Sequence, residues 1–376
     1  MGENLIKKKI IISGVNFFEG GPLTILKDNL KFANDFLSNN YEVIALVHKL
    51  DLFNSAELSN INFIEFPKSR DSYFIRLFLE YFYFKKLSKK WNPYLWLSLH
   101  DITPNVCAEI RAVYCHNPTP FKNKSITDLF FQPTIFFFSL FYKLLYRFNI
   151  KKNDFVIVQQ IWLKKEFINL FGLLNKSVLV CYPEYRKPEE ISRREDKSLN
   201  DNNNVFTFFY PALARPFKNF EVIGEAIKVL EKKGIENFQV VITINGDENN
   251  YAKYILKKYE ELKQLKFVGM MGFDVVKEYY NNSGALLFPS TLETWGLPIT
   301  EYKSYEKPII LSKLPYAFET LGQYEKALFF DPNNSNELAE KMLSVINGTV
   351  LFDRTIKIEE KVLVGWGDLF DKILAK

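Results

Sequence analysis

Cysteine and histidine are scarce in this chain of 376 residues, with three of each. Cys107, Cys115 and Cys181 have no spacing that suits a disulfide framework or a zinc site. No set of His, Cys and carboxylates has metal-ligand spacing, and His-Glu-x-x-His is missing. Gly-x-Ser-x-Gly and the Gly-x-x-x-x-Gly-Lys-Ser/Thr loop are also missing, so serine hydrolases and P-loop ATPases lose their main warrant. A tight Gly-x-Gly-x-x-Gly is lacking as well. Charge of one sign is not in large excess: 49 Lys plus Arg face 44 Asp plus Glu, a net +5. No basic run forms a stripe that could track a nucleic-acid backbone, and nucleic acid is not an expected partner. The mild positive balance fits attraction to phosphates or to an anionic membrane surface.

Long apolar runs are few. The strongest, Phe130-Phe-Gln-Pro-Thr-Ile-Phe-Phe-Phe-Ser-Leu-Phe-Tyr-Lys-Leu-Leu-Tyr146, carries Gln132, Pro133 and Lys143. It is shorter than the roughly 20 residues needed to span a bilayer. Two readings stay open: a helix buried against a sheet or domain face, or one lying in a membrane interface. The second is helped by Lys122, Lys124, Arg147, Lys151 and Lys152. On it, Phe130, Phe137, Phe138, Lys143 and Arg147 form a membrane or acceptor surface. The stretch Tyr73 to Lys86 is a weaker case of the same kind. The N-terminus runs straight into Ile10-Ile-Ile and leaves no room for a signal peptide. A cytoplasmic protein is expected, with peripheral contact on the cytoplasmic membrane face as an extension.

What the chain does have is an ordinary globular balance, 47% hydrophobic and 25% charged, with 36 Phe and 20 Tyr. The length favours two domains. Short apolar runs alternate with helical patterns. The first half reads as strands at Lys9–Val15, Glu42–Val47, Ile61–Phe66, Tyr94–Ser98, Arg111–Cys115, Phe155–Val158 and Ser177–Cys181. Helices are expected at Leu23–Leu37 and Tyr73–Lys89. From Tyr182 to Asn204 the texture turns polar and Pro-bearing, as a linker or exposed loop would. The rhythm then restarts at Val205–Tyr210 and runs through Phe220–Lys232, Phe238–Ile244, Tyr251–Leu262, Leu265–Val268 and Val275–Tyr280. It continues with a strand at Ala285, Leu328-Phe-Phe and Glu337–Ile346, and ends in an amphipathic segment, Val362–Leu374. Such βα succession makes parallel sheets with helices on both faces. The expected division is 1–185 and 205–355 as two Rossmann-like domains, 186–204 as their connection, and 356–376 as a C-terminal helix returning to the first. Two similar domains in tandem make the cleft between them the default site.

The densest chemistry is Ser290-Thr-Leu-Glu-Thr-Trp-Gly-Leu-Pro-Ile-Thr-Glu301, between the apolar runs at Ala285 and Pro308. Glu293 and Glu301 bracket a Gly-Leu-Pro that ends a loop and starts a helix, with Pro298 suited to the first helical position. Glu301 then falls about one turn into that helix. Glu293 stays at the carboxyl end of a strand, where open α/β sheets bind ligands. After the restart, Tyr210-Pro-Ala-Leu-Ala-Arg-Pro-Phe-Lys-Asn219 presents Arg215 and Lys218 past a strand end. These could neutralise a diphosphate, or simply form a solvated face. Gly20 and Gly21 at the first βα turn fit a phosphate loop or a plain turn. His116 sits in Tyr-Cys-His-Asn-Pro-Thr-Pro, stiffened by two prolines, as a presented imidazole or as one bonded within a turn. His48 also follows an apolar run, as does His100, and His100-Asp101 could reach the same cleft.

Taken together these pieces resemble the retaining glycosyltransferases of family 4, which have the GT-B architecture of two Rossmann-like domains facing each other across a cleft. The specific match is Phe288-Pro-Ser-Thr-Leu-Glu293-Thr-Trp-Gly-Leu-Pro-Ile-Thr-Glu301, similar to that family's Glu-x7-Glu signature. The Gly-Gly and His-Asn-Pro loops, Phe267-Val-Gly, the Arg/Lys loop and a Trp-bearing terminal helix support it. The Cys-His-Asn-Pro-Thr-Pro-Phe form looks closest to enzymes of bacterial O-antigen or capsule assembly. The resemblance implies transfer of a sugar from a nucleotide-sugar to a hydroxyl of a saccharide, on a lipid carrier, with anomeric configuration retained and no cofactor or metal. It implies that Glu301 accepts from the ribose hydroxyls and Glu293 grips the donor sugar. Arg215 and Lys218 would hold the diphosphate, and Gly20 and Gly21 would bring backbone N–H toward it. His116 would meet the sugar, and Gly296 and Leu297 would place backbone donors near it.

Three departures stand out. Leu213 occupies the position five before Lys218 where the family often has arginine, and Arg215 lies only three before it. Asn219 stands where glycine is common. Val240-Val-Ile-Thr-Ile-Asn-Gly-Asp has one glycine where a pair is frequent. A nucleotide-sugar epimerase of the same fold and a non-catalytic sugar-nucleotide-binding protein are the competing readings.

Overall fold

The computed structural model describes residues 7–54, 56–121, 130–131, 143–184, 205–355 and 358–375. The expected linker, 186–204, lies outside them, as do Phe137 and Phe138. The chain divides into two compact units. The first comprises Met1–Phe121, Phe137–Glu184 and Lys361–Lys376; the second comprises Lys122–Phe136 and Tyr185–Glu360.

The first unit is built on an eight-stranded sheet in the order β14-β7-β6-β5-β4-β1-β2-β3, parallel at every pairing. Its strands are β1 (Lys8–Gly14), β2 (Tyr41–Val47), β3 (Ile61–Glu65), β4 (Leu95–Ser98), β5 (Ile110–Cys115), β6 (Phe155–Val158), β7 (Val178–Tyr182) and β14 (Leu363–Val364). Runs such as Ile10-Ile-Ile12 and Leu95-Trp-Leu97 are buried throughout because helices cover both sheet faces. The helix Gly20–Phe32 buries Leu26 and Leu30. The helix Ile161–Phe171 buries Leu163, Phe167 and Phe171 beside Tyr146 and Val156. Its apolar residues were not assigned to a helix from sequence.

The terminal segment is a short strand followed by a helix, Gly365–Leu374. β14 extends the sheet beyond β7, and the helix places Leu369, Phe370 and Ile373 in the core that holds Ile10 and Leu30. Phe370 stacks on Phe32 with ring centroids 5.7 Å apart.

The stretch expected as one helix over Tyr73–Lys89 is two α-helical pieces, Tyr73–Phe78 and Phe84–Trp91, joined by a π-helical turn at Leu79–Tyr83. The inserted residue has a geometrical consequence. In a pure α-helix, positions four apart drift about 40° per step around the axis. One π turn takes up most of that drift, so Arg76, Glu80, Phe84 and Ser88 all face inward. Opposite them, Phe74, Phe78, Phe82, Lys86 and Lys90 are all exposed. A second π turn, Ala33–Leu37, ends the helix that begins at Gly20.

The second unit is a six-stranded parallel sheet in the order β10-β9-β8-β11-β12-β13. The strands are β8 (Phe206–Tyr210), β9 (Phe238–Ile242), β10 (Leu265–Phe267), β11 (Ala285–Phe288), β12 (Ile309–Ser312) and β13 (Ala327–Phe330). The helix Phe220–Lys232 buries Val222, Ile223, Ala226, Ile227 and Leu230. Gly224 lets the helix Asn250–Tyr259 close in, since a Cβ there would lie 2.4 Å from the Tyr259 ring. Phe131 packs against Tyr254, with centroids 4.8 Å apart. Each unit is thus Rossmann-like, and the chain has the GT-B fold. Among the described residues no helix is long and apolar enough to cross a membrane.

Candidate active site

In the second sheet the chain starts at β8, winds outward through β9 and β10, then returns to β11 on the other side of β8. The loops leaving β8 and β11 therefore diverge at a topological switch point, where such sheets bind ligands. They carry the two richest motifs of the sequence, and they are tied together. The Thr291 backbone N–H donates to Phe217 O at 2.7 Å, and the Ser290 and Thr291 hydroxyls donate to the same oxygen at 3.2 and 3.1 Å. Tyr210, the last residue of β8, donates its hydroxyl to Lys218 O at 2.9 Å, and Tyr316 donates to Ser290 O at 2.6 Å. Burial, aided by the charge of Glu293, holds the Tyr210 and Tyr316 hydroxyls well above the ordinary phenol range.

Held this way, Lys218 and Glu293 form an ion pair and hydrogen bond between Nζ and Oε1, with side chains only 15% and 13% exposed. Asn219 explains its own departure from glycine. Its φ of 56° is left-handed, where Gly and Asn are the tolerated residues. Its amide also donates to Pro289 O at 3.3 Å and Pro332 O at 2.8 Å, contacts that glycine could not make. Arg215 is exposed at the start of the short 3₁₀ turn Pro216–Lys218, and its side chain makes no hydrogen bond or ion pair among the described residues.

The helix Leu297–Lys303 follows β11, and Gly296 caps it at φ 82°. Pro298 occupies its second position rather than the expected first; Leu297 takes the first and is 48% exposed. The turn is fixed from behind by Trp295, whose indole N–H donates to Thr300 Oγ1 at 2.9 Å and whose carbonyl accepts from the Thr320 hydroxyl. Glu301 sits on this helix, and Oε2 accepts the Tyr280 hydroxyl at 2.8 Å. Burial raises its pKa from the ordinary 4.5, while the Tyr280 hydrogen bond and the Lys277 charge pull the other way. Sequence reasoning missed Tyr280, Trp295 and Thr320. Tyr280 and Thr320 stand on other helices, Phe273–Asn282 and Pro315–Leu321, while Trp295 lies inside the Glu293–Glu301 block, where nothing in the spacing reveals its bonds to Thr300 and Thr320.

The first unit has its own switch point, between β1 and β4. The helix after β1 starts at Gly20, whose φ is 65°; a Cβ at Gly20 or Gly21 would meet nothing within 4 Å. Beyond β4, Asp101 adopts φ 68°. Its Oδ1 accepts from the backbone N–H of His116 (2.8 Å) and of Asn117 (3.1 Å) and from the Tyr146 hydroxyl (2.8 Å). The His116 ring stands edge-on to Phe17, with centroids 5.3 Å apart. Its Nδ1 lies 3.7 Å from Asp101 Oδ1 and makes no hydrogen bond among the described residues. Asp101, which the sequence offered only as a neighbour of His100, is thus the group that holds the His116 loop.

The other histidines are core groups. His100, which on sequence grounds could reach the cleft, is fully buried beside Ser13, Glu80 and Arg76. His48 is buried against the Ser69 hydroxyl at 3.1 Å. Of the proposed membrane or acceptor residues, Phe130, Lys143 and Arg147 are exposed. Among the described residues no three His, Cys, Asp or Glu side chains gather as metal ligands.

Residues 191–361 match the family model described as Glycosyl transferases group 1. An uncharacterized glycosyltransferase of Methanocaldococcus jannaschii is 23% identical over 204 residues, 50% of this chain and 55% of that protein. An O-antigen chain mannosyltransferase of Salmonella typhimurium is 21% identical over 252 residues, 65% of this chain and 67% of that one. The chain thus spans little more than half of the first relative and two thirds of the second. A glycosyltransferase structure from Rickettsia africae superposes with a TM-score of 0.65 at 15% identity, covering 91% of this chain and 88% of that one. Anabaena HepE, solved in complex with UDP and glucose, superposes with a TM-score of 0.62 at 14% identity, covering 91% and 90%. These structural likenesses concern the fold. The sequence matches relate the chain to glycosyltransferases of this group.

Proposed function

We propose that this chain is a retaining glycosyltransferase of family 4, moving a sugar from a nucleotide-sugar to a hydroxyl of a saccharide acceptor. The acceptor is a lipid-linked intermediate of surface polysaccharide assembly. The observation that carries the reading is the Lys218–Glu293 pair at the β8/β11 switch point, with Glu301 on the helix that follows. A cation and a sugar-gripping carboxylate then come from two loops that are bonded to each other, and a ribose-gripping carboxylate from the helix that follows one of them. HepE with UDP and glucose and the O-antigen mannosyltransferase are relatives whose substrates fit this chemistry.

In the reaction, negative charge grows on the leaving diphosphate. Lys218, Arg215 and the backbone donors of Gly296 and Leu297 stabilise that charge more strongly in the transition state than in the bound donor. Glu293 holds the donor sugar while the leaving phosphate helps to remove the acceptor proton on the same face. On this scheme the protein needs no metal, so EDTA treatment leaves turnover unchanged.

The test is a binding screen of UDP-, GDP-, dTDP- and CMP-sugars, followed by turnover with and without a lipid-linked saccharide acceptor. Acceptor-dependent glycoside formation with the donor anomer retained supports the proposal. Release of free sugar or of an isomer without acceptor would replace it with the epimerase reading. Full activity in Glu301→Ala would sink the ribose assignment.

A further inference from the structure

The helix pieces Tyr73–Phe78 and Phe84–Trp91 carry a feature that the donor site does not use. Phe74 is 85% exposed, Phe78 57% and Phe82 69%, and Tyr73 and Tyr83 flank them at 61% and 41%. The Phe78 and Phe82 rings stack on each other with centroids 6.0 Å apart. Because of the π turn these rings share one row, and Lys86 and Lys90 continue it toward the C-terminal end. Lys85 and Lys89, also exposed, widen the cationic end. Tyr81 joins this surface to Phe148, with centroids 5.9 Å apart, and Phe148 and Leu144 are 63% and 57% exposed. Lys143 and Arg147, neighbours of Leu144 and Phe148 in the chain, are exposed, as are Lys151 and Lys152 just after them.

So many bare aromatics in one place exceed the scattered apolar side chains of an ordinary surface. Burial inside this unit does not account for them, because the opposite face already packs through Arg76, Glu80, Phe84 and Ser88. We infer that this face docks on an anionic lipid surface, with the Phe74, Phe78 and Phe82 rings entering the interface and the lysines and Arg147 on the headgroup phosphates. The charge pattern selects this occupant. A row of aromatics grading into exposed cations matches an apolar layer bounded by anionic headgroups. A second copy of the chain would instead bring like-charged lysines together. The docking surface deepens the lipid-linked acceptor reading, yet binding to vesicles needs neither donor nor acceptor.

The experiment is co-sedimentation of the full chain with phosphatidylcholine vesicles, with and without a quarter of phosphatidylglycerol, across a salt series. Wild type should pellet with the anionic vesicles only and be released by salt. Phe74→Ser/Phe82→Ser should lose binding by at least tenfold. Lys86→Glu/Lys90→Glu should lose at least about fivefold per lysine and much of the salt dependence. Unchanged thermal melting of both variants shows that they fold. The inference is overturned if wild type ignores both vesicles or if the variants bind as wild type does. It is equally overturned if ultracentrifugation shows a dimer that the Phe74→Ser/Phe82→Ser chain cannot form. Failure here, with acceptor-dependent transfer intact, would leave the proposed reaction standing.

Discussion

Lys218 Nζ and Glu293 Oε1 are paired across the two loops that leave β8 and β11, so the loops meet through charge as well as through backbone bonds. A donor diphosphate would have to share Lys218 with Glu293, and a donor sugar would have to share Glu293 with Lys218. On the proposed reading the two groups act as a unit, with each limiting where the other can point.

Coupling of that kind shows in paired substitutions. Glu293→Gln keeps the shape and removes the charge, and should cut turnover by roughly a hundredfold or more while donor binding falls less. Lys218→Met should weaken both donor binding and turnover. The double variant should cost less than the two single losses added together. Additive losses, measured by donor calorimetry and single-turnover rates, would show that the pair is not a functional unit.

Glu301 predicts a pH dependence. Its pKa in the folded protein is raised from 4.5 by burial, so the native state holds this proton more tightly than the unfolded chain does. The group's contribution to stability is complete below 4.5 and is lost as pH rises through the folded value. On the proposed ribose assignment donor binding runs the other way, because ribose hydroxyls would donate to the ionised carboxylate. Affinity should therefore rise with pH through the raised value and be flat in Glu301→Gln. Tyr280→Phe removes a hydrogen bond that favours ionisation, so the midpoint should move up and affinity should fall roughly tenfold. A midpoint that stays put would remove Tyr280 from the site.

Asp101 predicts a local effect with a built-in control. One carboxylate oxygen holds two successive backbone N–H groups and the Tyr146 hydroxyl. Asp101→Ala should destabilise by about 2–3 kcal/mol and speed amide exchange at His116 and Asn117. Asp101→Asn keeps an acceptor and tolerates the left-handed backbone, so it should stay within about 1 kcal/mol of wild type. Equal exchange rates in wild type and Asp101→Ala would show that the loop is set by its prolines instead.

Legibility from sequence followed a physical division. Fully buried parallel strands announce themselves as apolar runs, and β1, β6, β8 and β11 were readable from Ile10-Ile-Ile, Phe155–Val158, Val205–Tyr210 and Ala285 onward. Glu293, Arg215 and Lys218 were readable as candidates because each stands in the loop past a strand end, and Glu301 because it falls in the helix after that loop, with a family signature covering both carboxylates. What stayed hidden depends on tertiary placement. β14 is two residues long and exists only because β7 offers a free edge. The π turn in the Tyr73 helix is one inserted residue, silent in any apolar periodicity. His100 resembled a site residue because it follows a strand, but Arg76 and Glu80 arrive from another element to bury it.

That buried group yields the sharpest pH prediction. Glu80 lies fully buried, with Oε1 3.1 Å from His100 Nε2, and Ser13 and Arg76 complete the surroundings of the ring. Burial, only partly offset by Arg76, raises the Glu80 pKa to about 8. Burial and then the Arg76 charge lower that of His100 well below 6.5. The native cluster thus holds one proton on Glu80 and none on His100. Between 4.5 and 6.5 the unfolded chain also holds one, on the histidine, and these two groups give no slope. Between 6.5 and about 8 the native state holds one proton more, so stability falls as pH rises. Below 4.5 the unfolded chain holds one more, and stability falls as pH drops. Thermal melts should therefore show a plateau with two shoulders. Glu80→Gln should flatten the alkaline shoulder and gain at least about 1 kcal/mol relative to wild type near pH 9. If its alkaline slope instead matches that of wild type, Glu80 is ionised in the native protein and paired with Arg76.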